Sequence, residues 1–158
     1  PTCSVAQRNY LQAYFMTDRT VFTITGPDRH SFLAGLITNS FDARSPLTYA
    51  ALLTAQGKFV ADFFLLNDVD LVLIDVASTH ASLLFTRLNM YKLRADVAIA
   101  QSDFAVSLGS GHPDPRHPDL PHRAYTAACD NNAPSAITPD ELSAPNIRLA
   151  VPQIGIDF

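Results

Sequence analysis

A single carboxylate interrupts one of the most apolar stretches of the chain. Asp62 lies between Val60 and the pair Phe63-Phe64, inside the run Phe59–Leu66. Because a lone buried charge is costly unless it meets a partner or a ligand, Asp62 is the first candidate for a functional residue. Two interpretations stay open: a carboxylate that binds the N–H groups of a ligand or a reacting nitrogen, and a strand-end aspartate bonded to a backbone N–H or an arginine.

Two further candidates lie on either side of this residue in the chain. Gly57 and Lys58 are suited to hold an anion, although a glycine turn with an exposed lysine is the ordinary hairpin and is the favoured alternative. Tyr91 occupies the apolar face of a predicted helix, where a core position is favoured over a stacking surface for a ring. Neither feature is specific by itself.

Three arginines are candidates for binding anionic groups: Arg94, Arg116 and Arg123. A guanidinium presents a planar fork that matches a carboxylate, so each of them is able to bind the acidic part of a ligand. Salt bridges to nearby aspartates are the favoured alternative.

The sequence predicts no metal site. His112, His117 and His122 lie in a proline-rich segment without a carboxylate or cysteine at a known ligand spacing, so we interpret them as solvated loop histidines. Cys3 and Cys129 are far apart in the chain and also lack such a spacing. Two unpaired thiols in a reducing compartment are favoured over a single disulfide.

The elements that must position these residues predict an α+β domain with a largely antiparallel sheet and two main helices. The first helix begins at Gly26-Pro27-Asp28, and the second runs from Ser78 or Thr79 to about Tyr91. Predicted strands comprise a hairpin of Ala13–Met16 with Val21–Ile24, a pair turned over Gln56-Gly57-Lys58, and the segments Leu71–Val76, Val97–Ala100 and Phe104–Leu108.

Composition changes at Gly109, where prolines become frequent. We therefore divide the chain into an N-terminal arm (1–12), the α+β domain (13–108), a Pro/His loop (109–123) and the beginning of a second, incomplete domain (124–158). In the last part we expect short strands at Ala124–Ala128 and Ile147–Val151 and a brief helix near Pro139–Leu142.

Composition excludes several classes of protein. Hydrophobic residues make up 47% of the chain and charged residues 16%, which indicates a packed core and not a disordered chain. The net charge of −4 gives no support to electrostatic capture of nucleic acid. No apolar run approaches the ~20 residues of a membrane span, and we see no signal peptide, so we expect a cytoplasmic protein.

Four segments match the motifs of one family in the family's order. Residues 26–39 resemble G-x-D-x-x-x-F-L-x-G-L-x-T-N-D, and residues 53–62 resemble L-x-x-x-G-K/R-x-x-x-D. Residues 91–97 resemble Y-x-L-R-x-x-V, and residues 114–123 resemble D-P-R-x-x-x-L-G-x-R. Together they are similar to the YgfZ-type, folate-binding branch of the aminomethyltransferase (glycine-cleavage T-protein) superfamily, over about residues 13–158.

The resemblance implies a function. Members of this branch take part in the maturation or repair of iron–sulfur proteins and, in bacteria, in tRNA modification, and they bind tetrahydrofolate. Iron–sulfur client or assembly proteins are therefore the implied partners, while the composition gives no direct nucleic-acid signal and we expect no membrane partner. The implied folate-binding residues are Asp62, Gly57, Lys58, Tyr91, Arg94, Arg116 and Arg123, with Asp62 as the catalytic candidate if any chemistry is retained.

The chain also departs from the family pattern. Ser40 replaces an aspartate, Pro121 a glycine, and Arg19 a tryptophan associated with folate, while Ala61-Asp62 keeps one of the paired carboxylates of the true aminomethyltransferases. The K-G-C-Y-x-G-Q-E motif of the branch lies further along such chains. Three readings stay open: a folate-binding scaffold, a folate-dependent one-carbon transferase of the aminomethyltransferase type, and an interaction domain with a vestigial pocket. Whether the chain is an enzyme is not decided.

Overall fold

The computed structural model describes residues 14–41, 44–127 and 136–137. These ranges contain two helices, α1 (Arg29–Ala34) and α2 (Ser78–Lys92). The strands are β1 (Tyr14–Met16), β2 (Arg19–Thr25), β3 (Leu47–Leu53), β4 (Phe59–Asn67), β5 (Leu71–Ala77), β6 (Ala98–Ser102), β7 (Phe104–His112), β8 (Arg123–Ala127) and β9 (Ala136–Ile137).

The strands form two sheets. The larger has the order β3-β4-β5-β2-β6 and is antiparallel throughout, and the smaller has the order β8-β7-β1-β9, with a parallel pair only between β1 and β9. The predicted α+β class with a largely antiparallel sheet and two helices is confirmed.

The interior strand β4, between β3 and β5, is covered on both faces, as its nearly continuous apolar sequence predicts. Phe63 and Leu65 are fully buried in the core that includes Leu84 and Leu88 of α2. Since successive side chains of a strand point to opposite faces, Asp62 and Phe64 lie on the other face. That second face carries the smaller apolar cluster of Val21, Leu73 and Val106, which joins the two sheets.

The first family motif is explained by backbone contacts. Gly26 has φ +110, and a Cβ there would collide with the backbone of Asp96. Asp28 Oδ2 accepts a hydrogen bond from Asp96 N at 2.8 Å. These contacts join the start of α1 to the segment after α2, so the glycine and aspartate of the motif have a structural role here.

The Thr-Asn pair of the same motif covers the outer edge of β3. Thr38 N donates to Ala51 O at 3.0 Å, and Ala51 N donates back to Thr38 Oγ1 at 3.0 Å. Asn39 Nδ2 donates to Tyr49 O at 3.0 Å. An edge strand that is covered in this way is protected from pairing with another chain.

Three details of the predicted elements are wrong. Ala13–Met16 and Val21–Ile24 form no hairpin, because β1 pairs with β7 and β9 while β2 pairs with β5 and β6. The apolar positions Phe32, Leu33, Leu36 and Ile37 predict a first helix that contains Gly35, but Gly35 lies outside α1 as its C-cap, with φ −78. Strand β7 continues to His112, beyond the predicted end at Leu108. The strand pair turned over Gln56-Gly57-Lys58 and the second helix are confirmed.

The predicted domain division stays a prediction. Within the described ranges, β7 runs through residue 109 to His112 and pairs with β8. The remainder of the Pro/His loop, residues 113–122, connects these two strands. The arm at 1–12, the helix near Pro139–Leu142 and the strand Ile147–Val151 lie outside the described residues.

Candidate functional site

Asp62 lies on the β4 face that looks towards the smaller sheet. Its side chain is half-buried, and Tyr49 Oη, from the neighbouring strand β3, donates a hydrogen bond to Asp62 Oδ2 at 2.6 Å. A phenol that donates to a carboxylate is a short, charge-assisted hydrogen bond. The carboxylate is thus neither unpartnered nor fully exposed.

A second carboxylate, which sequence reasoning did not select, lies at the centre of the same face. Asp75 of β5 is opposite Phe64 of β4 and is fully buried. Asp75 accepts hydrogen bonds from Arg19 Nε at 2.6 Å, from Arg123 Nη1 at 3.0 Å and from Tyr125 Oη at 3.1 Å. These donors offset the cost of burying the charge.

The connection between β7 and β8 supplies a third carboxylate. Arg116 binds Asp114 through two side-chain bonds, from Nε to Oδ1 at 2.9 Å and from Nη2 to Oδ2 at 2.8 Å. Arg123 Nε is 3.5 Å from Asp114 Oδ2, and this buried N–H has no hydrogen-bond partner. Asp114 therefore links the loop arginine to the buried cluster.

The three guanidinium groups surround one aromatic ring. The Cζ atoms of Arg123, Arg116 and Arg19 lie 3.8, 4.9 and 5.8 Å from the centre of the Phe64 ring. Arg116 Cζ is also 5.5 Å from the centre of the Tyr49 ring, which packs against Phe64 at 5.1 Å. Cation–π contacts of this kind are strongest where water is excluded.

The ion pairs set the direction of several pKa values. Burial alone would raise the pKa of Asp114, but the bonds from Arg116 hold it below its ordinary value. Burial and a neighbouring carboxylate raise the pKa of the phenols of Tyr49 and Tyr125. Both phenols therefore stay neutral hydrogen-bond donors at physiological pH.

Burial also acts on the buried arginines. Burial lowers the pKa of Arg19 and of Arg123, and the charge of Asp75 raises the pKa of both. The balance raises the pKa of Arg19 and lowers that of Arg123, which has two other arginines nearby. An arginine nevertheless remains charged, so the face holds three cations and the carboxylates of Asp62, Asp75 and Asp114.

At the partly exposed end of the charged face, Asp62 is an acceptor and Arg116 a donor for a ligand. Asp62 bonds to Tyr49, and Arg116 Cζ lies 5.5 Å from the ring centre of the same tyrosine, so a carboxylate and a guanidinium are both close to one phenol. The Arg116 side chain is 16% exposed and the Arg123 side chain 5%. The exposed end is suited to a planar molecule that carries both N–H groups and an acidic group.

The structure brings together only some of the predicted residues. Asp62, Arg116 and Arg123 share the face that holds Phe64. Tyr91 packs instead against the helix-side core, on the opposite face of the sheet. Arg94 is exposed in the turn after α2.

The predicted Gly57-Lys58 turn lies at the end of the hairpin. Gly57 has φ +79 and Lys58 is exposed, and backbone bonds with Thr54 close the turn. Nothing in the described structure joins this turn to Arg116 or Arg123. The ordinary hairpin interpretation describes its geometry.

Sequence reasoning missed Arg19, Tyr49, Phe64, Asp75 and Tyr125. Asp75 had a signal, since it interrupts the apolar strand Leu71–Ala77 as Asp62 interrupts β4. Arg19 occupies the position where the family carries a tryptophan, and its guanidinium reaches the buried carboxylate. The pairing of Tyr49 with Asp62 depends on strand register, which composition does not reveal.

A shallow cavity lies away from this face. It is lined by Arg29, His30, Asn67, Asp68 and Val69, and does not include Asp62. Within the described ranges, no group of three or more His, Cys, Asp or Glu side chains is placed to hold a metal ion. The same ranges contain no helix with the length and apolar character needed to cross a bilayer.

Two iron–sulfur cluster assembly factors are similar to the chain in sequence. It is 30% identical over 134 residues to the mitochondrial iron–sulfur cluster assembly factor IBA57 homolog of Pyricularia oryzae, a match that covers 70% of this chain and 34% of that protein. It is 36% identical over 90 residues to the protein of the same name in Neurospora crassa, covering 51% of this chain and 20% of that protein. The chain thus spans about a third of the length of the first relative, at 34%.

A solved structure has a similar fold. Glycine cleavage system aminomethyltransferase T from Bartonella henselae superposes with a TM-score of 0.55 at 12% identity, covering 61% of this chain and 27% of that chain. No family model matches the chain. The two relatives and the shared fold confirm the resemblance to the YgfZ-type branch of the aminomethyltransferase superfamily that the four motifs indicate.

Proposed function

We propose that this chain, as a relative of the IBA57 homologues, is part of a protein that acts in iron–sulfur cluster assembly and binds tetrahydrofolate on the face that carries Asp62. The relatives are named as iron–sulfur cluster assembly factors. The observation that carries the ligand site is the charged cluster around Phe64, where Asp62 and Arg116 flank Tyr49 at its partly exposed end.

The residues present suit a folate in kind. The Asp62 carboxylate is an acceptor for the N–H edge of a pterin, and Arg116, whose side chain is partly exposed, is a donor for a glutamate carboxylate. The buried Nε of Arg123 forms no hydrogen bond and lies 3.5 Å from Asp114 Oδ2, so Asp114 is its nearest acidic neighbour within the cluster. When bound, tetrahydrofolate would supply a carrier for one-carbon units.

Isothermal titration of tetrahydrofolate into the full natural protein tests the ligand. We expect saturable binding that Asp62→Asn weakens at least tenfold, because the variant removes the charged acceptor. Asp70→Asn, an exposed carboxylate in the turn before β5, is the matched control and leaves binding unchanged. Equal affinity in both variants would remove Asp62 from the site, and absence of binding would reject the folate proposal.

The cellular role has its own test. A cell that lacks the protein should lose activity of iron–sulfur enzymes, and the full natural gene should restore it. Unchanged iron–sulfur enzymes together with altered tRNA modification would favour the other role implied by the family. The composition predicts a cytoplasmic site of action, whereas the names of both relatives contain "mitochondrial", and imaging of the tagged natural protein decides between these compartments.

A folate-dependent one-carbon transferase is the second candidate, favoured by the aminomethyltransferase fold and by Asp62 itself. A methylene-transfer assay that compares the natural protein with Asp62→Asn tests it. Activity that the variant abolishes supports a catalytic Asp62, and unchanged activity rejects that role.

An interaction domain with a vestigial pocket is the third candidate. Its support is that Asp75 and Asp114 already occupy the three arginines of the face. Full complementation of the cellular defect by a variant that no longer binds tetrahydrofolate would favour this function over the first two.

A further inference from the structure

The outer side of α2 and the turn after it form a surface that neither the core nor the Asp62 face uses. The family motif at 91–97 ends α2, and Tyr91 and Val97 of this motif pack inward. Leu93 and Arg94 of the same motif are exposed on the surface. The packing of the domain therefore gives no reason for these two residue types.

Apolar side chains line this surface. Leu83, Met90 and Leu93 are 44%, 55% and 87% exposed. On a helix of 3.6 residues per turn, positions 83 and 90 fall on one side, opposite the buried Ala81, Leu84 and Leu88. We call the surface formed by Leu83, Arg87, Met90, Leu93 and Arg94 the α2 ridge.

Leu93 holds a backbone conformation that leucine rarely adopts. Its φ is +36, the only positive φ of a residue other than glycine within the described ranges. Glycine is the usual residue at such a position after a helix. A strained backbone is costly, and the 87% exposed leucine recovers little of this cost through packing within the domain.

The ridge is also basic. Between Asp75 and Asp96 the chain has no Asp or Glu, while Arg87, Lys92 and Arg94 are cationic. The whole chain has a net charge of −4, so this cationic segment differs in sign from the chain as a whole and attracts an acidic partner. Asp96 marks the end of the basic run, and its backbone N–H is bonded to Asp28.

We propose that the α2 ridge docks an acidic segment of a partner protein, whose apolar side chains pack on Leu83, Met90 and Leu93 while its carboxylates pair with Arg87 and Arg94. The ridge is on the helix side of the sheet, opposite Asp62, so docking and ligand binding occur at separate places. This inference does not require the folate site to exist.

A membrane surface is the less favoured occupant. The continuous apolar side of α2 is already packed against the sheet, and the outer side offers three partly exposed apolar residues: Leu83, Met90 and Leu93. Helices that lie in a bilayer interface bury a wide apolar face. A protein segment needs only a few anchors surrounded by paired charges.

Fluorescence anisotropy with a labelled helical peptide of Leu and Glu residues tests the proposal on the full natural protein. The same peptide with Lys in place of Glu is the control probe. We expect the acidic peptide to bind and to weaken as salt rises, and the basic peptide not to bind. Binding of both peptides alike, of neither peptide, or of phosphatidylserine vesicles in their place would overturn the proposal.

Variants locate the binding. Met90→Glu and Arg94→Glu should each weaken the acidic peptide at least tenfold. Val69→Glu is the matched control, since Val69 is an 83% exposed apolar residue outside the ridge, and it should leave binding unchanged. Unchanged binding in Met90→Glu and Arg94→Glu would place the contact elsewhere.

Leu93→Gly separates strain from binding. Relief of the backbone strain should raise the thermal midpoint, whereas loss of the leucine side chain should weaken the peptide at least tenfold. A midpoint that rises with binding unchanged would contradict a docking role for Leu93.

Discussion

Replacing Asp75 by Asn should destabilise the domain more than any other conservative change on the charged face. Asn keeps the size of the side chain but removes the charge that Arg19 and Arg123 share at 2.6 and 3.0 Å. The side chains of Asp75, Arg19 and Arg123 are 0%, 12% and 5% exposed, so water does not replace the lost partner. Removing one partner of a buried ion pair costs about 3–5 kcal/mol.

That loss is a large part of the free energy of unfolding of a small domain, which is about 5–15 kcal/mol. Urea unfolding followed by circular dichroism measures it, with an unchanged denaturant slope as the sign that the same structure unfolds. Asp70→Asn, at an exposed turn position, is the control and should leave the urea midpoint where it is.

A double variant refines the test. In Asp75→Asn/Arg123→Met the cation is removed together with the carboxylate, so the double variant should lose less stability than the sum of the two single variants. A loss below about 1 kcal/mol in Asp75→Asn, or strict additivity in the double variant, would refute the conclusion that Asp75 neutralises the buried arginines.

Three further predictions follow from the same contacts. The folded state holds the pKa of Asp114 below its ordinary 3.8, so the stabilisation from this carboxylate is present above pH 3.8 and is lost as pH falls through the folded pKa. Asp114→Asn should therefore weaken the loss of stability at acid pH in a stability–pH curve. An unchanged acid side of this curve would contradict the ion pair. The raised pKa values of Tyr49 and Tyr125 favour the neutral phenol, so the stability that these phenols contribute is present below pH 10.0 and is lost as pH rises through the folded pKa values. The change in near-ultraviolet absorbance around pH 10 should therefore be the same in wild type and in Tyr49→Phe/Tyr125→Phe. A smaller change in the variant would show that these phenols titrate normally. Gly26→Ala should lower the free energy of unfolding, measured in urea, by about 1–3 kcal/mol because of its φ of +110 and the neighbouring Asp96 backbone. Gly35→Ala should be neutral or stabilising, because Gly35 has φ −78 and a Cβ there would meet its nearest neighbour, Ser31 O, at an ordinary van der Waals distance of 3.6 Å. Equal effects of the two substitutions would remove the structural account of the first motif.

Much of the fold follows from the sequence because its signals are local. The apolar run of β4, the glycine turn at Gly57 and the periodicity of α2 each identify an element and its type. The predicted hairpin of β1 with β2 is wrong because a strand pattern does not name its partner. Strand β1 has three residues, Tyr14–Met16, and its partners β7 and β9 are far away in the chain.

The candidate site is predictable to the same extent. Asp62, Arg116 and Arg123 are identified by residue type and motif, and they do share one face of the sheet. Tyr91 and Arg94 belong to a motif that is equally visible in sequence, but the helix carries them to the other face. A motif match does not say to which surface each of its residues contributes, because that depends on how the strands and helices are arranged.

The position of tetrahydrofolate on the protein is the most direct test of the account. Amide chemical shifts of the isotopically labelled natural protein, titrated with tetrahydrofolate, report which face the ligand touches. We predict saturable shifts at Tyr49, Asp62 and Arg116, with Tyr91 and Arg94 unchanged. Shifts confined to Tyr91 and Arg94, or none at saturating ligand, would contradict a folate site on the Asp62 face.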